Sequence, residues 1–435
     1  MISRLRRLIP ERHPLRLLWH RSRGQLAAAW YAWPSRKIRS IAITGTDGKT
    51  TTVAMTAHVL RKTGKSVGAV SSTFFQINDR QWSNPTHKTS LDPFIFQKFL
   101  KQCLDAGCEF VVVEASSHGL VQGRLGPFQP EVAAITNTSL EHLDYHGTME
   151  QYRSDKGILF KMLGGKGTKV LNASDATHPL YMQIPSTHTL SYTSSAHQGT
   201  ADFSASEIVT TPTQTSARIH WNNSQAHLEL PIPGAFNIEN ALCAIACVAA
   251  IGVSADQSVN ALQTFQGVPG RLERIAEGQP FHVFVDFTVS PLAYEKTLGT
   301  VRNMIEPGKR ILVLTGSCGD RMREKRPIIG EICSRLADVT VVSTDETYTE
   351  DPLKVIDEVF AGIDQGKTEA RKIPDRGEAI AFLFREARPG DAVVLCGMGA
   401  CTTMMTQRGT VPWDEREIAR ELLQTIEKSH FAVDT

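Results

Sequence analysis

Ile41-Ala42-Ile43 runs directly into Gly45-Thr46-Asp47-Gly48-Lys49-Thr50-Thr51, and a helix is expected to open near Thr50. A short apolar strand, a glycine loop and a helix in that order point to an α/β architecture. The glycines let the backbone turn tightly, so that successive N–H groups converge on phosphate oxygens. Lys49 brings a positive charge to the β- and γ-phosphates, and the Thr50 hydroxyl suits Mg²⁺. The spacing is G-x-x-G-K-T, shorter than the usual G-x-x-x-x-G-K-T, so the strand before it and the helix after it supply the specificity. Gly45 to Thr51 are therefore expected to bind a nucleoside triphosphate.

The rest of the chain repeats the α/β rhythm. Phe110-Val111-Val112-Val113, ending at Glu114, and Val132-Ala133-Ala134-Ile135 are continuous apolar runs, as strands buried on both faces of a parallel sheet require. Residues 193–230 are rich in Thr and Ser and alternate, which predicts an antiparallel patch. Residues 234–252 read as a helix. A break falls at Gly267-Val268-Pro269-Gly270, and four further strands are expected around 283–286, 311–316, 339–343 and 392–397. The expected fold is α/β: a P-loop central ATPase domain (40–268) with a mainly parallel sheet, then a Rossmann-like C-terminal domain (269–435).

Residues 1–39 are set apart by charge. Within residues 1–40, ten Lys/Arg face one acid, Glu11; this +9 leaves −7 for the rest of a chain whose total is +2. Leu5, Leu8, Leu15, Leu17, Leu18, Trp19, Trp30, Tyr31 and Trp33 are interspersed among the arginines. Two readings are open: an amphipathic helix at an anionic membrane surface, or a basic helix packed on the body of the protein. No apolar run approaches the ~20 residues that span a bilayer, and nothing resembles a signal peptide. The eight cysteines lack CxxC spacing and read as reduced thiols. A cytoplasmic monomer is expected, with contact at the inner membrane face as the extension's possible role and no nucleic-acid partner.

Two further features carry chemistry. Glu114 ends a buried strand at the edge where α/β sheets bind ligands, and a carboxylate there can hold Mg²⁺. Just after the next strand, Asn137, His142, Asp144, His146, Asp155 and Lys156 crowd into one polar stretch. Packing alone does not explain two histidines, acids and a lysine there.

Together, residues 44–52, Glu114-Ala115-Ser116-Ser117-His118-Gly119-Leu120, and Asn137…His142-Leu143-Asp144-Tyr145-His146-Gly147…Lys156 closely resemble the Mur ligases. Val268-Pro269-Gly270-Arg271-Leu272-Glu273, Gly319-Asp320-Arg321 and Glu350-Asp351-Pro352 extend the resemblance over about residues 40–425. It implies a ligase in which ATP phosphorylates a carboxylate and an amine then attacks the acyl phosphate. It implies two Mg²⁺ sites, one on Thr50 and Glu114, the other on His142 and a carbamylated Lys156. Lys49, Lys156 and His142 would be catalytic. Asn240, Arg271 and Asp286 match nucleotide-binding positions. Ser116, Gln122 and Arg124 match positions that hold a carboxylate-bearing acceptor peptide, and Asp345 and Tyr348 those that select the incoming amino acid.

The sequence also departs from the pattern. The basic extension stands where the family has a UDP-sugar-binding domain. Asp345-Glu346-Thr347-Tyr348 replaces Asp-Asn-Pro-Arg, and a tyrosine cannot make the bidentate fork of an arginine. Gly397-Met398-Gly399-Ala400-Cys401 replaces Gly-Lys-Gly-His-Glu, and Asp286-Phe287-Thr288-Val289-Ser290-Pro291 lacks a histidine. The leading expectation is a ligase adding an amino acid to a peptidoglycan-precursor-like acceptor. The alternatives are a ligase for a poly-amino acid, folate-like or lipid-linked acceptor, and an ATP-binding partner without catalysis.

Overall fold

A computed structural model of the chain describes residues 12–84, 86, 88–139, 143–195, 201–320 and 322–431. It divides into two compact units. One holds 1–209, 216–230 and 236–265; the other holds 210–215, 231–235 and 266–435.

The first unit is built on a sheet whose strands are β1 (Arg39–Thr44), β2 (Val67–Val70), β3 (Phe74–Ile77), β4 (Arg80–Ser83), β5 (Phe110–Glu114), β6 (Val132–Ile135), β7 (Thr168–Asn172), β8 (His188–Thr193), β9 (Phe203–Thr210), β10 (Thr215–Trp221) and β11 (Ser224–Leu230), in the order β11-β10-β9-β8-β7-β6-β1-β5-β2-β3-β4. From β2 through β5, β1, β6, β7 and β8 to β9 every pairing is parallel. The continuous apolar runs form these central strands because helices cover both faces and every side chain finds a dry neighbour. The expected antiparallel patch is present: Thr210 meets Thr215, Glu207 meets Arg218 and Ser206 meets His220, contacts that run in opposite directions along β9 and β10. The hairpin β3–β4 was not foreseen. It is short, turns at Asn78 with φ +51° and leaves β4 mostly exposed, so no apolar run marks it.

The chain leaves β1 towards β2 on one side and crosses past β1 from β5 to β6 on the other. Such a switch point opens a crevice at the carboxyl ends of the strands. Register brings Ile43 beside Glu114 and Thr44 beside Ile135, so three strand ends meet there.

The second unit holds β12 (Glu273–Ile275), β13 (His282–Asp286), β14 (Ile311–Thr315), β15 (Val339–Val342), β16 (Glu369–Lys372) and β17 (Ala392–Cys396), ordered β12-β13-β17-β14-β15-β16. The four strands expected from sequence are its parallel centre. Phe284 and Val313 belong to the core on one face, Val283, Val285 and Leu312 to the core on the other. The edge strands β12 and β16 escaped the sequence reading, since a three-residue strand and the charged Glu369-Ala370-Arg371-Lys372 carry no apolar signature.

The N-terminal extension, from residue 12 onward, contains helix α1 (Pro14–Trp30), started by Pro14 and capped by His13, whose Nδ1 accepts from Leu15 N at 3.3 Å. Its small residues Gly24, Ala27 and Ala28 are buried against the first unit, whereas Leu15, Leu18, Trp19, Leu26 and Trp30 are exposed. Residues 1–11, and with them Leu5 and Leu8, lie outside the described residues. At Gly24 a Cβ would sit 2.8 Å from Gly126 Cα and 3.0 Å from Gly123 O, backbone contacts that cannot yield as a side chain can. Gly24→Val should therefore weaken the docking of α1 by about 1–3 kcal/mol. Chymotryptic cleavage at Trp19 and Trp30 should accelerate; cleavage at the wild-type rate would refute the close approach.

Candidate active site

The glycine loop lies in the crevice beside β1. Gly45 (φ +148°) and Gly48 (φ +78°) use backbone conformations that side chains resist, and there is no room for a side chain either. A Cβ on Gly45 would lie 1.8 Å from Thr136 Oγ1, and one on Gly48 2.1 Å from Asn240 Oδ1. The loop is held from the end of β6. Thr46 N donates to Asn137 O at 2.8 Å, Asp47 N to Asn137 Oδ1 at 3.0 Å, and Thr136 Oγ1 to Asp47 O at 2.6 Å. Gly48 is the N-cap of helix α2 (Lys49–Lys62), which no side chain caps, so the positive end of the helix faces the loop.

Charged and polar groups converge there. Lys49 Nζ donates to Thr46 O at 2.9 Å. Thr50 Oγ1 donates to Glu114 Oε2 at 3.0 Å and lies 3.1 Å from Ser72 Oγ; Ser72 N also donates to Glu114 Oε2, at 2.8 Å. Glu114 is buried. A hydroxyl and a carboxylate at the mouth of a phosphate loop are hard oxygen donors, the set Mg²⁺ takes when phosphates and water complete its shell. Among the described residues no three His, Cys, Asp or Glu form a metal cluster. Lys156 is 1% exposed; its Nζ donates to Gly45 O at 2.6 Å and lies 4.4 Å from the centre of the Tyr152 ring. Tyr152 OH is 3.0 Å from Thr46 Oγ1. Asn240 joins the loop through Gly48 and through Thr52 Oγ1 at 3.4 Å. His142 lies outside the described residues.

Ser116, Gln122 and Arg124 form a second group at the end of β5. Ser116 Oγ lies 2.7 Å from Ser90 Oγ, Arg124 Nε donates to Gln122 Oε1 at 2.8 Å, and Arg124 Nη1 donates to Ser90 O at 2.9 Å. Beside them is a buried relay that sequence reasoning missed. Ser117 Oγ is 3.0 Å from His146 Nε2, and His146 Nδ1 is 2.6 Å from Asp155 Oδ2. Asp155 also accepts from Arg12 at 2.6 and 3.1 Å and from Gln151 Nε2 at 2.9 Å. Burial works to raise the Asp155 carboxyl, but bonds from His146, Arg12 and Gln151 outweigh it and hold the group at about 2. His146 and Asp155 stood in the polar stretch noted in the sequence; nothing there pointed to Arg12.

In the second unit, Asp286 Oδ2 accepts from Leu272 N at 2.6 Å and its other oxygen from Thr288. Burial pushes this carboxyl upward against those bonds and the nearby Arg271 charge. Arg271 lies 5.2 Å from the centre of the Phe287 ring, and its buried Nε finds no hydrogen-bond partner among the described residues. Asp345 is buried and Glu346 N donates to it at 2.6 Å, while Tyr348, at φ +50°, donates its hydroxyl to Glu346 Oε2 at 3.1 Å. The loop bearing them is fastened by Arg376, which donates to Thr344 O at 3.2 Å, Cys396 O at 2.7 Å and both oxygens of Glu415 at 2.5 and 3.0 Å.

The depressed Asp155 value has a consequence for stability. Its folded value lies below the ordinary 3.8, so its contribution is complete above pH 3.8 and is lost as pH falls towards about 2. Asp155→Asn should cost about 2 kcal/mol at pH 7. In urea titrations that cost should shrink between pH 4 and pH 2.5; a constant cost would contradict the assignment.

Residues 43–248 match the model of the Mur ligase middle domain, and residues 270–399 that of the Mur ligase, glutamate ligase domain. The UDP-N-acetylmuramyl-tripeptide synthetase of Roseiflexus sp. (strain RS-1) is 37% identical over 416 residues, covering 92% of this chain and 81% of that one. The UDP-N-acetylmuramoyl-L-alanyl-D-glutamate–2,6-diaminopimelate ligase of Geobacillus kaustophilus (strain HTA426) is 35% identical over 406 residues, 92% of this chain and 82% of that one. A solved structure of a UDP-N-acetylmuramoyl-L-alanyl-D-glutamate–2,6-diaminopimelate ligase aligns with a TM-score of 0.66 at 27% identity, over 94% of this chain and 83% of that one. The chain belongs to the Mur ligase family.

Proposed function

We propose that this chain joins an amino acid to a carboxylate-bearing, peptidoglycan-precursor-like peptide by an ATP-driven acyl-phosphate route. The observation that carries the reading is the contact of Thr50 with the buried Glu114 at 3.0 Å, directly behind a phosphate loop. The relatives' names, tripeptide synthetase and diaminopimelate ligase, agree with it.

The acceptor carboxylate attacks the γ-phosphorus of ATP and ADP departs. The amine nitrogen of the incoming amino acid then attacks the acyl carbon, inorganic phosphate leaves and the nitrogen gives up a proton. Such transfers depend on positioning and charge neutralisation. Gly45, Thr46, Asp47, Gly48 and Thr51 would wrap the phosphates, and Lys49 would leave Thr46 O for the β- and γ-oxygens. Thr50 and Glu114 would hold one Mg²⁺. For a second ion we propose His142 and Lys156, the latter carbamylated. The unmodified amine is a donor, as its bond to Gly45 O illustrates, whereas a carbamate would present anionic oxygen. Bound Mg²⁺ supplies charge that neutralises the phosphoryl group. Asn240, Arg271 and Asp286 would contact the nucleotide, and the partnerless Nε of Arg271 suits an anionic group. Ser116, Gln122 and Arg124 would hold the acceptor. Asp345 and Tyr348 would meet the amino acid, where Tyr348 provides a hydroxyl rather than a cation to a second carboxylate.

We infer in addition a contact of α1 with anionic lipid. Leu15, Leu18, Trp19, Leu26 and Trp30 are 53–78% exposed on a helix that also bears arginines. No helix of the described residues is long and apolar enough to cross a membrane.

Two measurements address these readings. With ATP, each amino acid in turn and UDP- or lipid-linked acceptors, mass spectrometry should detect one amide product; Lys49→Ala should slow its formation by about 10²–10³-fold, and Lys156→Ala comparably. Full activity in Lys156→Ala would exclude the carbamate, and absence of product with every mixture would sink the ligase reading. In flotation with phosphatidylglycerol vesicles the full chain should rise and a chain beginning at Ser40 should not; equal flotation would remove the lipid contact.

A further inference from the structure

The segment at residues 116–126, read above as the acceptor end, is gripped at three places by one neighbouring piece of chain. At its start, Arg12 forms a fork on Asp155 at 2.6 and 3.1 Å, and its Nη1 lies 3.4 Å from His146 Nδ1. The Asp155 carboxylate lies 2.6 Å from His146 Nδ1 and is an acceptor, which leaves Nε2 to meet the Ser117 hydroxyl at 3.0 Å. Ser117 opens the Ser117–Val121 helix, and Ser116 is its N-cap, accepting from Gly119 N at 3.1 Å. At the segment's end, Gly24 of α1 abuts Gly123 and Gly126, the turn that follows Gln122 and encloses Arg124. Between these grips, Arg23 Nη2 donates at 2.8 Å to Asp92, two residues from the Ser90 that bonds both Ser116 and Arg124.

The order serine, histidine, aspartate imitates a nucleophilic relay, but Ser117 is buried and its hydroxyl is used inward. The arrangement is mechanical. The His146 ring is wedged between rings of Tyr145 and Tyr152 with centroids at 4.8 and 4.9 Å, so its two nitrogens can serve only these partners. A planar guanidinium on a carboxylate fixes orientation as well as charge. The three grips fall on Asp155, Asp92 and the 123–126 turn, and the glycine loop is reached from them only indirectly, through Tyr152, whose hydroxyl lies 3.0 Å from Thr46 Oγ1.

We propose that the N-terminal segment, residues 12–24, is a working part of the acceptor end of the site. Arg12 is a positioning residue that, through Asp155 and His146, holds Ser116 and Gln122–Arg124 in their binding arrangement. The proposal rests on the reading of those three residues as acceptor contacts, and the experiment separates the two. Hydrogen exchange followed by mass spectrometry on the full chain should show amides at 116–124 exchanging about tenfold faster in Arg12→Ala, with the helix Lys49–Lys62 unchanged. Arg12→Lys, which keeps the charge without the fork, should recover part of the protection. Val209→Ser, an exposed position on β9 far along the sequence from α1, should match the wild type. With UDP-N-acetylmuramoyl-L-alanyl-D-glutamate as the acceptor, Arg12→Ala should raise the acceptor KM about tenfold and leave the KM for ATP within about twofold. Unchanged exchange at 116–124, or a uniform rise over the whole first unit, overturns the proposal. If the wild-type chain does not use that acceptor, the functional reading is at fault and the exchange measurements still decide the role of Arg12.

Discussion

Strand β1 is hydrogen-bonded in parallel on both sides, to β5 and to β6. The chemistry of the first unit depends on that double pairing. It sets Glu114 beside Ile43 and Ile135 beside Thr44, so the glycine loop emerges between a carboxylate and the Thr136-Asn137 clamp. A loop of this kind has no hydrophobic content to fix its shape. Its backbone groups must be satisfied from outside, and Asn137 and Thr136 do so. The same clamp leaves Lys49 and Thr50 at the start of a helix whose dipole favours phosphate. Phosphate binding in this fold is therefore a property of three strand ends in register rather than of the glycine motif alone.

The second unit solves a similar problem with one buried ion pair. Arg376 and Glu415 are 3% and 0% exposed. A pair taken so far out of water is tolerated only with good geometry and saturated donors. Arg376 goes far towards that condition by donating also to the carbonyls of Thr344 and Cys396, so that four of its N–H groups are used. The pair thus ties the ends of β15 and β17 together and shapes the turn at Asp345. Gly397 belongs to the same knot, since a Cβ there would lie 2.5 Å from Asp345 Oδ2. Asp345 and Gly397 therefore sit in a stiffly held frame built on Arg376.

Helix α1 shows how a basic extension can be both bound and exposed. Small residues at 24, 27 and 28 recur at helical spacing and make a flat stripe that reaches the backbone of 123–126. The bulky residues cannot enter so tight a contact and face outward. The two readings left open by the sequence, a basic helix packed on the body of the protein and an amphipathic helix at an anionic membrane surface, do not exclude one another, because the buried and the exposed residues lie on opposite faces of α1.

How much of this the sequence held follows from the range of each signal. Strand–loop–helix order, continuous apolar runs and the Gly45–Thr51 spacing are local, and they determined the α/β class, the central strands of both sheets, the nucleotide loop and Glu114 as its neighbour. Edge elements such as β4 and β16 left no trace, because a strand wetted on one side needs no apolar run. The Arg12–Asp155 and Arg376–Glu415 pairs join residues 143 and 39 positions apart, and a charge has no periodicity to betray its partner. Nor could the alternation of Gly, Ala, Leu and Trp in residues 14–30 reveal which stripe would be buried. That choice depends on the steric fit of Gly24 against Gly123 and Gly126, a contact that exists only once the tertiary structure has brought those backbones together.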